Sequence, residues 1–159
     1  MPNAPRLLIE NACYHLMVRG NQKQKVFLCD DDLQEYLERL RGYKKKFNFK
    51  LYGYCLMPTH VHIVGQIVVS RDLSKFMQAL NRSYTAYFND KYEKVGHLWQ
   101  GRYRNKVIVK DQYLIDCISY VELNPIRAEL VNSVCEYPWS SYRQRVLDDD
   151  STILDKIAL

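Results

Sequence analysis

Leu56-Met57-Pro58-Thr59-His60-Val61-His62-Ile63-Val64 is the stretch that decides how the rest of the chain is read. Side chains alternate along a strand, so His60 and His62 share one face and Val61 and Ile63 share the other. Strand rise sets the two histidines about 7 Å apart along the backbone, near enough to converge on one ion. Pro58 has no N–H for a ladder, so it belongs in the turn just before the strand. A bare His-x-His also occurs on solvated strand faces and as a pair of core histidines. Partners elsewhere in the chain must decide between these readings.

The 159 residues suit one domain with a real hydrophobic core. Hydrophobic residues at 47% and charged residues at 26% are ordinary for a soluble globular protein. No stretch approaches a membrane span, and Met1 to Glu10 lacks the long apolar core of a secretory signal. The five cysteines (Cys13, Cys29, Cys55, Cys117, Cys135) are odd in number and form no Cys-x-x-Cys. They argue against a disulfide framework or a zinc knuckle and for a reducing, cytoplasmic setting. A net charge of +5 and thirteen tyrosines suit a polyanionic partner, although tyrosine also fills half-buried sheet positions.

Strands are expected at 13–19, about 48–57, 60–69 and 103–109. A helix from Asp30 to Lys46 opens on three aspartates and closes on three lysines, as the helix dipole favours. A second runs from the Ser70-Arg71-Asp72 cap to about Asn89, with Leu73, Phe76, Met77, Leu80, Tyr84 and Phe88 on its inner face. The order β-α-β-β-α-β predicts an α+β, ferredoxin-like antiparallel sheet with both helices on one face. In this reading the first and fourth strands flank the central pair. A third helix, 111–124, ends or bends before Pro125, and a short helical piece follows at 126–131. One domain over 1–147 with a C-terminal tail at 148–159 is expected; the tail begins with the acidic run Asp148-Asp149-Asp150.

Tyr120 and Asn124 stand four apart on that third helix, so their side chains lie roughly 40° apart on one face. Packed over the free side of the sheet, the Asn124 amide oxygen would complete a site with His60 and His62, and the Tyr120 hydroxyl would stand beside it. Two imidazoles and one amide oxygen leave about half of an octahedral shell open for water or phosphate oxygens. A free tyrosine has a pKa near ~10 and is a poor nucleophile at neutral pH, so it needs such a divalent ion on the scissile phosphate. Attack by Tyr120 exchanges one phosphodiester for a phosphotyrosine link, and the strand can be rejoined without ATP.

Four blocks carry a resemblance: Met57-Pro58-Thr59-His60-Val61-His62, Gly96-His97-Leu98-Trp99-Gln100-Gly101-Arg102-Tyr103, Tyr120-Val121-Glu122-Leu123-Asn124-Pro125-Ile126-Arg127-Ala128 and Tyr137-Pro138-Trp139-Ser140-Ser141-Tyr142. Together, in this order, they resemble the single-tyrosine transposases of the HUH endonuclease superfamily, insertion-sequence type, and above all the REP-associated tyrosine transposases. The resemblance implies cleavage and transfer of single-stranded DNA, often beside a hairpin, with Mg2+ or Mn2+. It implies metal binding by His60 and His62, with Asn124 as third ligand, and a 5′-phosphotyrosine on Tyr120 with release of a 3′-OH. Asn124 stands where many insertion-sequence members carry Gln, and Thr59 where Asn is more usual. Monomer and homodimer are both compatible with the family.

Tyr113, seven residues before Tyr120, is the decoy nucleophile, since no amide follows it at four. Arg82, Tyr84, His97, Arg102, Arg104, Lys106 and Arg127 are candidate DNA contacts, with alternation placing Arg102, Arg104 and Lys106 on one side of the fourth strand. The bland alternative makes these cations a solvated edge and lets Arg82 and Tyr84 pack. Glu122 is a candidate for handling the leaving-group proton. Two other functions fit the same residues: a non-catalytic nucleic-acid-binding module, and a hydrolase using His60 and His62 with an activated water.

Overall fold

Among the described residues four strands form, β1 (Cys13–Arg19), β2 (Phe49–Leu56), β3 (His60–Ile67) and β4 (Arg104–Ile108). Among the described residues five α-helices accompany them: α1 (Asp30–Lys46), α2 (Asp72–Tyr92), α3 (Asp111–Glu122), α4 (Asn124–Arg127) and α5 (Tyr142–Leu147). The structure is a computed structural model that describes residues 8–109, 111–147 and 152–157. Met1 to Leu7, Lys110 and the acidic run Asp148 to Asp150 lie outside the described residues.

The sheet is antiparallel throughout, in the order β2-β3-β1-β4. The ferredoxin-like α+β architecture is therefore present, but the expected strand order is corrected. β1 and β3 are central, and β2 and β4 are the edges. Both β1 and β2 run antiparallel to β3, so α1 is a crossover between two parallel strands. A helix about 10 Å wide covers two strand spacings of about 4.8 Å, which leaves the gap that the β2–β3 hairpin fills.

The two faces of the sheet differ in composition. Tyr14, Leu16 and Val18 of β1 join Val61, Ile63 and Ile67 of β3 beneath α1 and α2, which contribute Tyr36, Leu37, Leu40, Phe76, Leu80 and Tyr84 to the same core. Gly65 is required there, because a Cβ would stand 2.4 Å from the Phe49 ring. α2 continues to Tyr92, beyond the expected end near Asn89, since the Tyr92 hydroxyl donates to Asp32 (2.5 Å) and its ring packs on Phe88.

On the opposite face α3 lays Leu114, Ile118 and Val121 over Tyr52, Cys55, Met57 and Val64. A bulge between Leu51 and Gly53 sets Tyr52 and Gly53 consecutively on this side. At Gly53 the approach is close: a Cβ would lie 3.3 Å from the Ile118 side chain. Residues 139–141 run beside β2, with Leu56 N–H donating to Trp139 O (2.9 Å) and Ser141 N–H to Tyr54 O (3.0 Å). Within 152–157, Ile153 is buried in the main core and Asp155 pairs with Lys44 (2.7 Å). All five cysteines are free, and no helix among the described residues is long and apolar enough to cross a membrane.

Candidate functional site

Met57 and His60 close the Pro58-Thr59 turn, with Met57 N–H donating to His60 O (2.8 Å). β3 then presents His60 and His62 on the α3 face, their ring centroids 5.0 Å apart and planes 81° apart. The Nδ1 of His60 shares a hydrogen bond with Thr59 Oγ1 (3.0 Å), so the residue just before the first histidine backs it. His62 is buried and shares a hydrogen bond through Nδ1 with Nε2 of His15 (2.9 Å). The two rings are stacked at 5.1 Å. His15 is a member of this cluster that sequence reasoning missed. Its signal was parity: Cys13, His15, Met17 and Arg19 share one face of β1, which becomes informative once β1 is known to lie beside β3.

Burial disfavours charge on all three rings. His62 falls to about 3, through burial first and then the fields of His15, His60, Arg127 and Arg19. His60 is lowered by burial and by Arg19, and His15 by burial and by Lys106. Neutral imidazoles at neutral pH keep a lone pair for a metal. Among the described residues no group of three His, Cys, Asp or Glu is arranged to hold one ion. The histidine pair therefore offers two nitrogen donors, and the chemistry of an amide or phosphate oxygen suits the remainder.

Tyr120 is half exposed on α3, with its ring edge-on to His15 at a centroid distance of 6.3 Å. Arg127 stacks its guanidinium 4.0 Å from the Tyr120 ring centroid and donates through Nη2 to the Tyr120 carbonyl oxygen. The helix ends at Glu122, so Asn124 opens the separate helix α4. Its Nδ2 donates to Val121 O (3.2 Å), and among the described residues it makes no hydrogen bond to either imidazole. With the nitrogen committed to a carbonyl, Oδ1 is the end of this amide left to accept or to ligate. Tyr113 is also exposed, near the start of the helix. Glu122 is turned away from the histidines. Its carboxylate takes hydrogen bonds from Ser141 Oγ (2.7 Å) and Arg145 Nη2 (2.5 Å), which makes it a tether between α3 and α5.

The candidate DNA contacts divide into three groups. Arg104 and Lys106 are exposed on β4 on the histidine face, across from Met17 and His15. Arg102 does not join them, because the chain turns at Gly101 (φ +65°) and the strand starts only at Arg104. Arg102 instead lines a groove of about 620 Å³ with Arg82 and His97, between α2 and the 96–103 loop. Trp99 anchors that loop, its ring against Tyr36 and Tyr84. Tyr84 is corrected to a core residue: it is wholly buried and donates its hydroxyl to Val26 O (2.5 Å).

The model of the family described as IS200-like transposases matches residues 9–124. A Haemophilus influenzae protein described as a REP-associated tyrosine transposase is 22% identical over 157 residues, which cover 92% of this chain and 88% of that protein. Among solved structures, a REP-associated tyrosine transposase bound to a REP hairpin superposes with a TM-score of 0.80 at 16% identity. That match covers 99% of this chain and 93% of the other. A Deinococcus radiodurans protein described as a transposase has a TM-score of 0.52 at 19% identity, covering 76% of this chain and 96% of its own. At these identities the structural matches establish likeness of fold.

Proposed function

The chain belongs to the IS200-like transposases, and from that premise we propose that it cleaves and rejoins single-stranded DNA with Tyr120 as nucleophile. The observation that carries this reading is one line of contacts: an exposed phenol edge-on to His15, which is hydrogen-bonded to His62, beside His60. His60 and His62 would hold a divalent cation, Mg2+ or Mn2+, with Asn124 Oδ1 as third donor. Bound there, such an ion would supply neutralisation of the charge that builds on the scissile phosphate.

The chain's own groups do the rest. Tyr120 Oη forms a bond to phosphorus in line with the 3′-oxygen, whose bond to phosphorus breaks. The phenol gives up its proton, the departing 3′-oxygen takes one up, and a 5′-phosphotyrosine and a 3′-OH result. Because one phosphodiester replaces another, attack by a 3′-OH reverses the step without ATP. Arg127, stacked on the phenol, would keep the ring presented and face the phosphate with a permanent charge. Arg104 and Lys106 on β4 would track the backbone toward the site, and Arg82, Arg102 and His97 would hold a further stretch of the strand in the groove beside α2. The hairpin bound by the structural relative makes hairpin-flanked single strands the substrate to try first.

The test is incubation with single-stranded oligonucleotides carrying hairpins plus Mn2+, followed by denaturing electrophoresis. A covalent protein–DNA adduct is expected, lost in Tyr120→Phe and kept in Tyr113→Phe; the reverse pattern refutes the assignment. Cleavage without an adduct and indifferent to Tyr120→Phe would mark a hydrolase. Binding that survives chelation, with no adduct under any metal, would mark a non-catalytic module.

A further inference from the structure

We propose that His15 is a positioning residue, whose hydrogen bond to Nδ1 of His62 fixes which nitrogen of His62 is presented to the cation. The proposal rests on the assignment of His60 and His62 as the ion-binding pair and extends it to a third ring. The bond joins Nε2 of His15 to Nδ1 of His62 at 2.9 Å. Only two neutral arrangements are compatible with it. If His15 donates, the proton of His62 sits on its own Nε2, and neither nitrogen of His62 has a lone pair to offer. If His62 donates from Nδ1, its Nε2 is a free lone pair, and His15 carries its proton on Nδ1. Ion binding requires the second arrangement, and His15 holds it in place before the ion arrives, as an acceptor for the ring nitrogen away from the metal.

The geometry makes His15 well suited to that task. Its ring stacks on His62 with planes 26° apart, and the Tyr120 ring meets it edge-on. His62 is buried at 5% exposure, so its Nδ1 has a protein partner in place of bulk water. His60 has a parallel arrangement through Thr59 Oγ1, which can accept from Nδ1 in the same way. Each member of the pair is thereby aimed by a partner outside it.

The experiment uses the full chain and Mn2+ as probe. In the metal-free protein, long-range proton–nitrogen NMR of the histidine rings should find His62 protonated on Nδ1; protonation on Nε2 overturns the proposal. Mn2+ affinity, read from the signal of the free ion by electron paramagnetic resonance, should fall about 10- to 100-fold in His15→Leu. His15→Gln, which keeps an acceptor, should recover most of the loss. Unchanged affinity in His15→Leu, with binding lost in His62→Ala, sinks the role of His15 while leaving the ion-binding pair intact. No Mn2+ binding by the wild-type chain sinks both. Pulsed measurements on the loaded protein should find two directly bound imidazoles, and a third would make His15 a ligand and overturn the positioning role. Should His15→Leu fail to fold by circular dichroism, the wild-type tautomer and the Gln variant decide.

Discussion

The guanidinium of Arg127 lies 4.0 Å from the centroid of the Tyr120 ring, and its Nη2 donates to the carbonyl oxygen of the same tyrosine. Two contacts from one side chain hold both ends of the residue, and the break between α3 and α4 makes them reachable. A stacked cation is worth about 0.5–1 kcal/mol at an exposed site, and a charge-assisted hydrogen bond about 1.5–3 kcal/mol. With each tenfold being about 1.4 kcal/mol, loss of both contacts in the transition state should slow single-turnover adduct formation in Arg127→Ala by about 30- to 700-fold. Arg127→Lys should fall between, keeping the charge but losing the planar stack. An alanine variant as fast as wild type would remove Arg127 from the site.

Acid should destabilise the fold in two windows. His62 has its folded value near 3, against an ordinary 6.5. Between those values the unfolded chain binds the proton and the folded chain does not. The stabilisation is thus complete above the ordinary value and is lost as pH falls, by about 1.4 kcal/mol per pH unit. Asp32 opens the second window. Burial alone would raise it, but donors from Tyr92, Lys91, the Leu28 N–H and Tyr87 outweigh burial and bring it to about 2 from 3.8. Its contribution is present above 3.8 and is lost as pH falls toward 2. Urea unfolding in the presence of a chelator at pH 7, 5 and 4 should show the first loss, reduced in His62→Gln. Equal losses in variant and wild type would contradict it.

Arg82 and Tyr84 are two residues apart on α2 and should behave oppositely. Arg82 borders the groove with His97 and Arg102, whereas Tyr84 is sealed in the core. Arg82→Ala and Arg102→Ala should each lower the slope of log affinity for single-stranded DNA against log salt by about 0.7. Tyr84→Phe should leave that slope alone and cost about 1 kcal/mol of stability, the hydrogen bond to Val26 O. Unchanged slopes in both arginine variants would mean that the groove does not take DNA.

What the sequence discloses follows how local each signal is. The ends of α1 are written in Asp30-Asp31-Asp32 and Lys44-Lys45-Lys46, because the helix dipole acts within one turn. The pairing of His60 with His62 is likewise local, a matter of strand parity. Tyr84 was legible too: Leu80, Tyr84 and Phe88 repeat at four, the spacing of a buried stripe, and Arg82 beside it suggested a surface that α2 presents only on its other side. Strand order is not local. Nothing within Cys13-Tyr14-His15-Leu16 announces that β1 lies between β3 and β4, and without that neighbour His15 is an unremarked strand residue. Arg102 departs from its expected side for a related reason: alternation holds only within a strand, and the strand begins at Arg104, after the turn at Gly101.

Glu122 sits two residues from Tyr120, yet it works on the opposite side of the helix. Its buried carboxylate receives Ser141 Oγ and Arg145, while Arg145 Nη2 also donates to Tyr52 O (2.8 Å). The three groups pin the C-terminal end of α3 to α5 and to edge strand β2, so they set where the following turn and Asn124 begin. Arg145, the partner left behind, is about one-third exposed, so losing Glu122 costs less than breaking a wholly buried pair, about 1.5–3 kcal/mol for the charge-assisted hydrogen bonds. Glu122→Ala should therefore lower stability by an amount near that range, while Ser141→Ala costs about 1 kcal/mol. The urea dependence of unfolding reads both. A tether also makes a kinetic prediction that a proton handler does not: at a temperature where both proteins are folded, Glu122→Gln should change the rate of adduct formation by the same factor at every pH. A rate deficit that grows or vanishes across the pH range would return Glu122 to the chemistry.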